Sequence, residues 1–469
     1  MSKKIYTNVN DPFVEMEALL TSCASPGIRP GLARVRRLLA LLGDPLAGTP
    51  VVHVVGTNGK GSTCAFLDSI FRAAGYRTAM YTSPHLESPA ERLTVDGAAL
   101  PADRWLAAAE LAVRTVEADG VLMEDRPSYF ELVTAAAFLL ARDEGSELAV
   151  VEAGLGGRLD ATNTFSASDT LCTAVASVSM DHTEYLGNTL EAIAGEKFAV
   201  VRAGAPACYL GDNPSLVPLF EEFCGRAGAA PFVVSRDAEV SNARASEQGC
   251  TFDFCSRSMG GGAVPEASLT GVHTGLIGRH QIANASLAIS AALAADRRLA
   301  AGSRLPRITD DAILSGIAGA RWPGRLEVFR LAAENGRKSV VLDGGHNPDG
   351  VKKLAECVSE LWGERGKKIG IVYAAMRDKE YRKCLSTLSQ IFPAPAPALY
   401  PTQVPGMERC LPADRLALAA GALTGWRSAP EPFDAPMLAV RRSVAENEVT
   451  VVCGSLYLVG RVRKELAAP

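Results

Sequence analysis

The chain has 469 residues, with 48 Lys plus Arg against 52 Asp plus Glu, a net charge of −4, and 48% hydrophobic residues. At roughly 100–200 residues per domain this length points to several domains, and the apolar share excludes general disorder. The mild acidity without a basic tract argues against a protein that coats nucleic acid, although backbone N–H groups can still bind a small anion. No apolar run reaches the roughly 18 residues that span a membrane. The N-terminus, MSKKIYTNVNDPF, lacks the apolar core of a signal peptide. Eleven Cys, odd in number and without a CxxC pair, are unlike a disulfide scaffold or zinc ribbon and point to a reduced, cytoplasmic setting.

The segment 50–56, PVVHVVG, is a short β-branched run, followed by a helix over 60–75 and a strand over 77–83. Strand, Gly-rich turn, helix and strand make a βαβ unit with a parallel sheet. A helix over 129–145 runs into a buried strand over 148–154. A strand over 171–179 and a helix over 189–204 follow. From Pro206 to about Val272 the signals weaken to short strands and Gly-rich stretches. An Ala-rich helix covers 280–300. GARWPGR then interrupts a helical pattern, and Pro323 and Gly324 mark a boundary near 319–324. A second α/β series begins there: a strand over 339–345, a helix over 347–366, strands over 367–374 and 448–455, and a Pro-rich connection over 392–401 that carries an edge strand.

Five segments bear chemistry. The first is Gly56-Thr57-Asn58-Gly59-Lys60-Gly61-Ser62-Thr63, between a buried strand and a helix. There the helix dipole and open N–H groups favour an anion, glycines let backbone approach phosphate, and Lys60 neutralises charge. It departs from the general GxxxxGK[ST] pattern, since two residues separate Gly56 from Gly59. In the second segment, Ser83 follows a strand end, the side of an α/β sheet where ligands bind; by itself it reads as a turn residue. In the third, Glu152 ends an apolar strand, where a carboxylate needs a partner. That partner is a metal ion or cation, or else Arg158. Asp160 and Asn163 lie beyond the Gly-rich turn that follows.

In the fourth segment His182 follows a strand, and either a ligand role or a structural one fits it. Lys197 lies on the helix after Thr189 and locally reads as a solvated lysine. The fifth is the set Asn284, Arg325, Asp343 and His346. An active site between two α/β domains would take groups from strand ends of both, although each residue singly fits a cap or surface role.

Together these segments resemble the folylpolyglutamate synthase/dihydrofolate synthase family, within the Mur-ligase superfamily. The matches are HVVGTNGKGS, SPHL with ER after it, YFE before TAAAF, GLGGRLDATN, DHTEYLGNTLEAIAGEK, HQIANA, WPGRLE, LDGGHNP and GSLYLVG, in the family's order. The resemblance implies an α/β fold: a P-loop-type parallel-sheet ATPase domain over 1–320 and a smaller C-terminal glutamate-ligase domain over 321–469, with closure of the cleft excluding water. It implies a monomeric, cytoplasmic, ATP-dependent amide ligase acting on small molecules, with neither nucleic acid nor membrane as partner. ATP phosphorylates a carboxylate, the amino group of L-glutamate attacks the acyl phosphate, and phosphate leaves. The acceptor is dihydropteroate, a reduced folate, or both.

By the same resemblance Thr57, Asn58, Gly59, Lys60, Gly61, Ser62, Asn284, Arg325 and Asp343 hold ATP. Ser83, Glu152 and His182 ligate Mg²⁺. Lys197, carbamylated by CO₂, holds a second Mg²⁺, and His346 receives glutamate. The pterin-bearing substrate meets the turn Gly27-Ile28-Arg29-Pro30, then Ser128, Tyr129, Phe130 and Glu131, and then Leu159, Asp160 and Ala161. Ala33 stands where the family usually has Glu, and Ala153 where Val is common. The rival readings are a monofunctional folylpolyglutamate synthase, a cell-wall amino-acid ligase and a nucleotide-binding regulator without ligation.

Overall fold

The computed structural model describes residues 11–257, 262–300, 306–333 and 336–467. The chain divides into two compact units. The first runs to Ser241 and adds Asp253–Thr270 and Asn284–Gly319. The second takes Asn242–Phe252, Gly271–Ala283 and everything from Ala320.

The first unit is built on strands β1 (Val51–Val55), β2 (Thr78–Tyr81), β3 (Leu93–Val95), β4 (Ala98–Ala99), β5 (Leu148–Glu152), β6 (Thr170–Val175), β7 (Ala207–Tyr209) and β8 (Pro231–Val233). Among the described residues they form one sheet in the order β4-β3-β2-β5-β1-β6-β7-β8. From β2 to β8 every pairing is parallel, and β3 and β4 add an antiparallel edge. β1, β5 and β6 are buried along their whole length, which is why they read as continuous apolar runs and do not alternate.

One sheet face packs on helices Pro12–Cys23, Ala33–Leu41, Ala102–Glu117 and Tyr129–Asp143, around Met16, Leu38, Trp105, Phe138 and Val151. Helix Lys60–Ala73 crosses over from β1 to β2. It leaves its strand at Gly59, whose backbone is left-handed (φ +87°), a conformation open to glycine. Register aligns Val54 with Glu152, Val55 with Val175 and Tyr81 with Val151. The segments that follow β1, β2, β5 and β6 therefore emerge together at the carboxyl edge, where β1 switches crossover direction, the place where open α/β sheets bind ligands.

The second unit holds β12 (Glu327–Ala333), β13 (Gly336–Leu342), β14 (Ile369–Tyr373), β15 (Ala398–Pro401) and β16 (Val449–Cys453) in the order β12-β13-β16-β14-β15. All are parallel except β12 on β13. Val341, Ile371 and Val451 pack against Leu354, Val358, Trp362 and Leu385. Strands β9 (Ala238–Ser246), β10 (Gly249–Ser256) and β11 (Ala267–Thr274) form a three-stranded sheet.

Two helices differ from expectation. The one predicted over 189–204 spans Leu190–Phe198; the β-branched pair Val200 and Val201 then leaves the helix, and the Arg202 side chain reaches the Phe165 carbonyl at 3.0 Å. The one predicted over 347–366 is α-helical over Pro348–Val358 and widens to a π turn over Ser359–Gly363. The weak stretch after Pro206 resolves into β7 to β11 and helix Val217–Ala227. The Pro-rich piece carries β15 at the sheet edge, as predicted. No helix among the described residues is long and apolar enough to cross a membrane.

Candidate active site

The phosphate loop is held from both sides. Thr57 N–H donates to the Ser177 carbonyl at 2.6 Å, and the Thr57 hydroxyl donates to the Ser179 carbonyl at 3.1 Å. Ser177 Oγ donates to the Asn58 carbonyl at 3.1 Å. Lys60 begins the helix, and its Nζ lies 3.2 Å from the Thr57 carbonyl. Asn284, on helix Arg279–Ala300, presses its amide on the loop: a Cβ at Gly59 would overlap Asn284 Oδ1. The N-cap of this helix is Gly59, which has no side chain to cap it, so the helix start offers first-turn N–H groups and the positive end of its dipole to an anion.

Glu152, at the end of β5 and 4% exposed, stands beside it. Its Oε1 is 3.7 Å from Lys60 Nζ, and its Oε2 accepts the Ser83 N–H at 3.2 Å. The alternative pairing with Arg158 is overturned: Arg158 donates to Glu196 Oε1 at 2.8 and 3.0 Å. Ser83 and Glu152 are thus neighbours. His182 begins the short helix Thr183–Leu186 with a left-handed backbone, and its side chain is 40% exposed with Nε2 4.0 Å from Asp181 Oδ2. Among the described residues no three His, Cys, Asp or Glu side chains converge on one metal position.

Lys197 is not the solvated lysine that local sequence suggests. It is 3% exposed, and Nζ donates to the Gly56 carbonyl at 3.0 Å. Burial, and then the charge of Lys60, push its pKa down to about 7, because both disfavour the ammonium form. The structure therefore brings the phosphate loop, Ser83, Glu152, Lys197 and Asn284 together. A buried carboxylate beside phosphate-binding backbone needs positive charge, Lys60 supplies part of it, and the oxygen donors of Ser83 and Glu152 suit a hard cation.

The segments expected to meet the pterin lie on the same unit. Arg34 Nε donates to Glu131 Oε2 at 3.2 Å and Arg34 Nη2 to the Arg29 carbonyl at 2.6 Å, while Arg29 pairs with Asp125 at 2.6 Å. The turn Gly27-Ile28-Arg29-Pro30 is thereby tied to the start of helix Tyr129–Asp143. Ser128 and Glu131 form a reciprocal cap at that start. The Phe130 ring lies so close to Gly154 that a Cβ there would stand 2.6 Å from Cζ. Asp160 spends both oxygens inside its own loop. Oδ2 accepts from Leu155 N at 2.7 Å, and Oδ1 accepts from Thr162 N and Thr162 Oγ1. Burial raises its pKa, and these hydrogen bonds oppose the rise. Beyond β2, Glu91 accepts the N–H groups of Leu86, Glu87 and Ser88, and Arg92 donates to His85 Nδ1 at 3.1 Å. Burial and Arg92 push the His85 pKa down to about 4.

In the second unit Arg325, Asp343 and His346 gather round Gly344. Asp343 follows β13 and accepts from Leu326 N and Gly345 N at 3.0 and 2.8 Å. A Cβ at Gly344 would overlap the Arg325 guanidinium, and His346 Nδ1 is 2.9 Å from the Gly344 carbonyl.

Sequence reasoning missed Arg34, His53, Thr162 and Arg202, which tie those first-unit segments in place. The one signal available was His53, a polar residue in an otherwise all-valine buried strand.

Residues 54–292 match the Mur ligase middle domain and residues 324–456 the Mur ligase glutamate ligase domain. The dihydrofolate synthase/folylpolyglutamate synthase of Bacillus subtilis is 33% identical over 94% of this chain and 96% of its own. This chain belongs to the dihydrofolate synthase/folylpolyglutamate synthase family of Mur ligases. It is an ATP-dependent amide ligase. Escherichia coli FolC, solved with DHPP and ADP, superposes with a TM-score of 0.80 at 28% identity, covering 98% of this chain and 99% of that one. A bifunctional folylpolyglutamate synthase/dihydrofolate synthase solved with Mn, AMPPNP and L-glutamate gives 0.76 at 27% identity, covering 97% and 98%.

Proposed function

We propose that this ligase adds L-glutamate to dihydropteroate and to the glutamate tail of reduced folates, acting in the cytoplasm as a monomer. The observation that carries the reading is the burial of Lys197 against the Gly56 carbonyl, within reach of the charge of Lys60, which itself lies 3.7 Å from Glu152. A nucleotide-binding regulator has no use for a buried, readily deprotonated lysine at its phosphate loop. The GLGGRLDATN loop favours a pteroyl acceptor over a cell-wall precursor.

In this reading Thr57, Asn58, Gly59, Gly61 and Ser62 bind phosphate oxygens through backbone and hydroxyl groups, and Lys60 offsets charge on the group transferred. Asn284, Arg325 and Asp343 serve the nucleotide and His346 the incoming glutamate. Ser83 and Glu152, joined by His182, would hold Mg²⁺, and the ion would supply neutralisation of the transferring phosphoryl group. The neutral Lys197 amine attacks CO₂, forming an N–C bond and releasing one proton. The resulting carbamate is an anion able to hold a second Mg²⁺. Leu159, Asp160 and Ala161, with Ser128–Glu131 and the 27–30 turn, shape the pteroyl end.

The test is phosphate release from a panel of dihydropteroate and reduced folates, each with and without L-glutamate. Release that requires both partners supports ligation, and activity confined to folates would favour the monofunctional reading. UDP-sugar-peptide turnover would move the chain to the cell-wall branch.

The metal ligands are expected to act as a unit. Glu152→Gln and His182→Ala should each raise the Mg²⁺ concentration needed for half-maximal activity by at least about tenfold, and the double variant should cost little more, because coupled residues are not additive. Mn²⁺ binding followed by electron paramagnetic resonance should weaken in parallel. Fully additive losses would mean two separate roles.

A further inference from the structure

The loop bearing Leu159–Ala161 hangs on a residue that the ligase chemistry leaves without a role. His53 is the sole polar side chain of β1, 2% exposed, with the Phe165 ring edge-on at 5.7 Å. Its Nε2 lies 2.9 Å from Thr162 Oγ1, and Thr162 Oγ1 lies 2.6 Å from Asp160 Oδ1. The direction of each bond follows from counting protons. Both Asp160 oxygens already receive backbone N–H groups, so the carboxylate accepts and the single Thr162 proton goes to it. Thr162 Oγ1 must then accept from the ring, which places the hydrogen on Nε2. Burial and the nearby Arg202 push the His53 pKa down to about 3, so the ring is neutral and carries that one hydrogen.

The rest of the loop is pinned by groups of other elements. Arg202 donates to the Phe165 carbonyl at 3.0 Å and to Asn163 Oδ1, and Arg158 is held by Glu196. Of these anchors, the His53 bond alone reaches Asp160 through a side-chain relay, and it comes from the strand that ends in the phosphate loop.

We propose that His53 is a positioning residue for the pteroyl-binding loop: its Nε2–H aims the Thr162 hydroxyl at Asp160, which in turn sets the turn Leu155–Ala161. This rests on the reading of Leu159–Ala161 as substrate contacts. A strand residue buried among hydrophobic side chains thereby governs affinity for the acceptor substrate without touching it.

Steady-state kinetics on His53, Thr162 and Asp160 variants test the proposal. His53→Phe keeps a ring against Phe165 and removes the donor. Thr162→Val keeps the shape and removes the hydroxyl. Each should raise the KM for dihydropteroate about tenfold, as for a lost buried hydrogen bond, while the KM for ATP and kcat stay within about twofold. The double variant should be no worse than either single one, because the two groups form one relay. His53→Gln and Thr162→Ser, which keep donor and hydroxyl, should restore most of the affinity. Equal rises in both KM values, multiplying effects, or a KM near wild type would overturn the proposal. Should His53→Phe fail to fold, the nearly isosteric Thr162→Val carries the test. Asp160→Ala separates the two layers. If it leaves the dihydropteroate KM unchanged, the substrate reading of the loop fails. If it raises that KM while Thr162→Val does not, the relay alone fails.

Discussion

Lys197→Arg and Lys197→Ala are both expected to lose nearly all ligase activity, on the order of 10³-fold, the scale of removing a preorganised charge from a transition state. The reason lies in the microenvironment. Burial, and then the charge of Lys60, lower the Lys197 pKa to about 7 from an ordinary 10.5, so far more free amine is available near neutral pH than an unperturbed lysine would offer. That amine is the nucleophile CO₂ requires. Arginine remains a cation and cannot become an anion there. Depleting bicarbonate should slow the wild type. A short-chain carboxylic acid in solution should partly restore Lys197→Ala, because it returns an anion to the vacated space. Carbon-13 NMR with labelled bicarbonate should show a carbamate carbon in the wild type and none in either variant.

The pH dependence follows from the same shift. Below about pH 7 the folded protein must carry a buried ammonium, so activity should fall as acid protonates the amine. Stability changes in the same sense. Between about pH 7 and 10.5 the unfolded chain binds the proton that the folded one has released, so this group's contribution to stability rises with pH through that window. Wild-type behaviour in Lys197→Arg would reduce the residue to a plain positive charge.

Lys60→Ala is expected to abolish turnover, by at least about 10²-fold, with circular dichroism unchanged. The side chain fills no core position, and Glu152 keeps the Ser83 N–H at 3.2 Å. The loss should exceed that of a phosphate contact alone. Lys60 is the second cause of the depressed Lys197 pKa, so its removal should raise that pKa and deplete the reactive amine. Nucleotide affinity measured by calorimetry should weaken, and the pH profile should shift toward alkali. Normal turnover in a correctly folded Lys60→Ala would remove the phosphate-loop assignment.

The sequence alone determined the architecture and the chemistry on offer. Central parallel strands are buried on both faces, so VVHVV and LAVVE show as unbroken apolar runs, and a Gly-rich turn between strand and helix marks where phosphate binds. Local patterns of this kind survive without tertiary context because backbone geometry imposes them. Tertiary structure alone decided how the groups behave. Lys197 sits on a short helix and locally reads as a solvated lysine, and only packing against Gly56 buries it and lowers its pKa. Arg158 stands only six residues from Glu152 in sequence, yet the loop turns it to Glu196. The Asp160 carboxylate reads only as a polar group beyond a Gly-rich turn until its oxygens are seen to accept the N–H groups of Leu155 and Thr162. Charge, burial and hydrogen-bond direction depend on neighbours far away in the chain, as His53 and Thr162 show, and their separation of more than a hundred residues leaves no trace in local spacing.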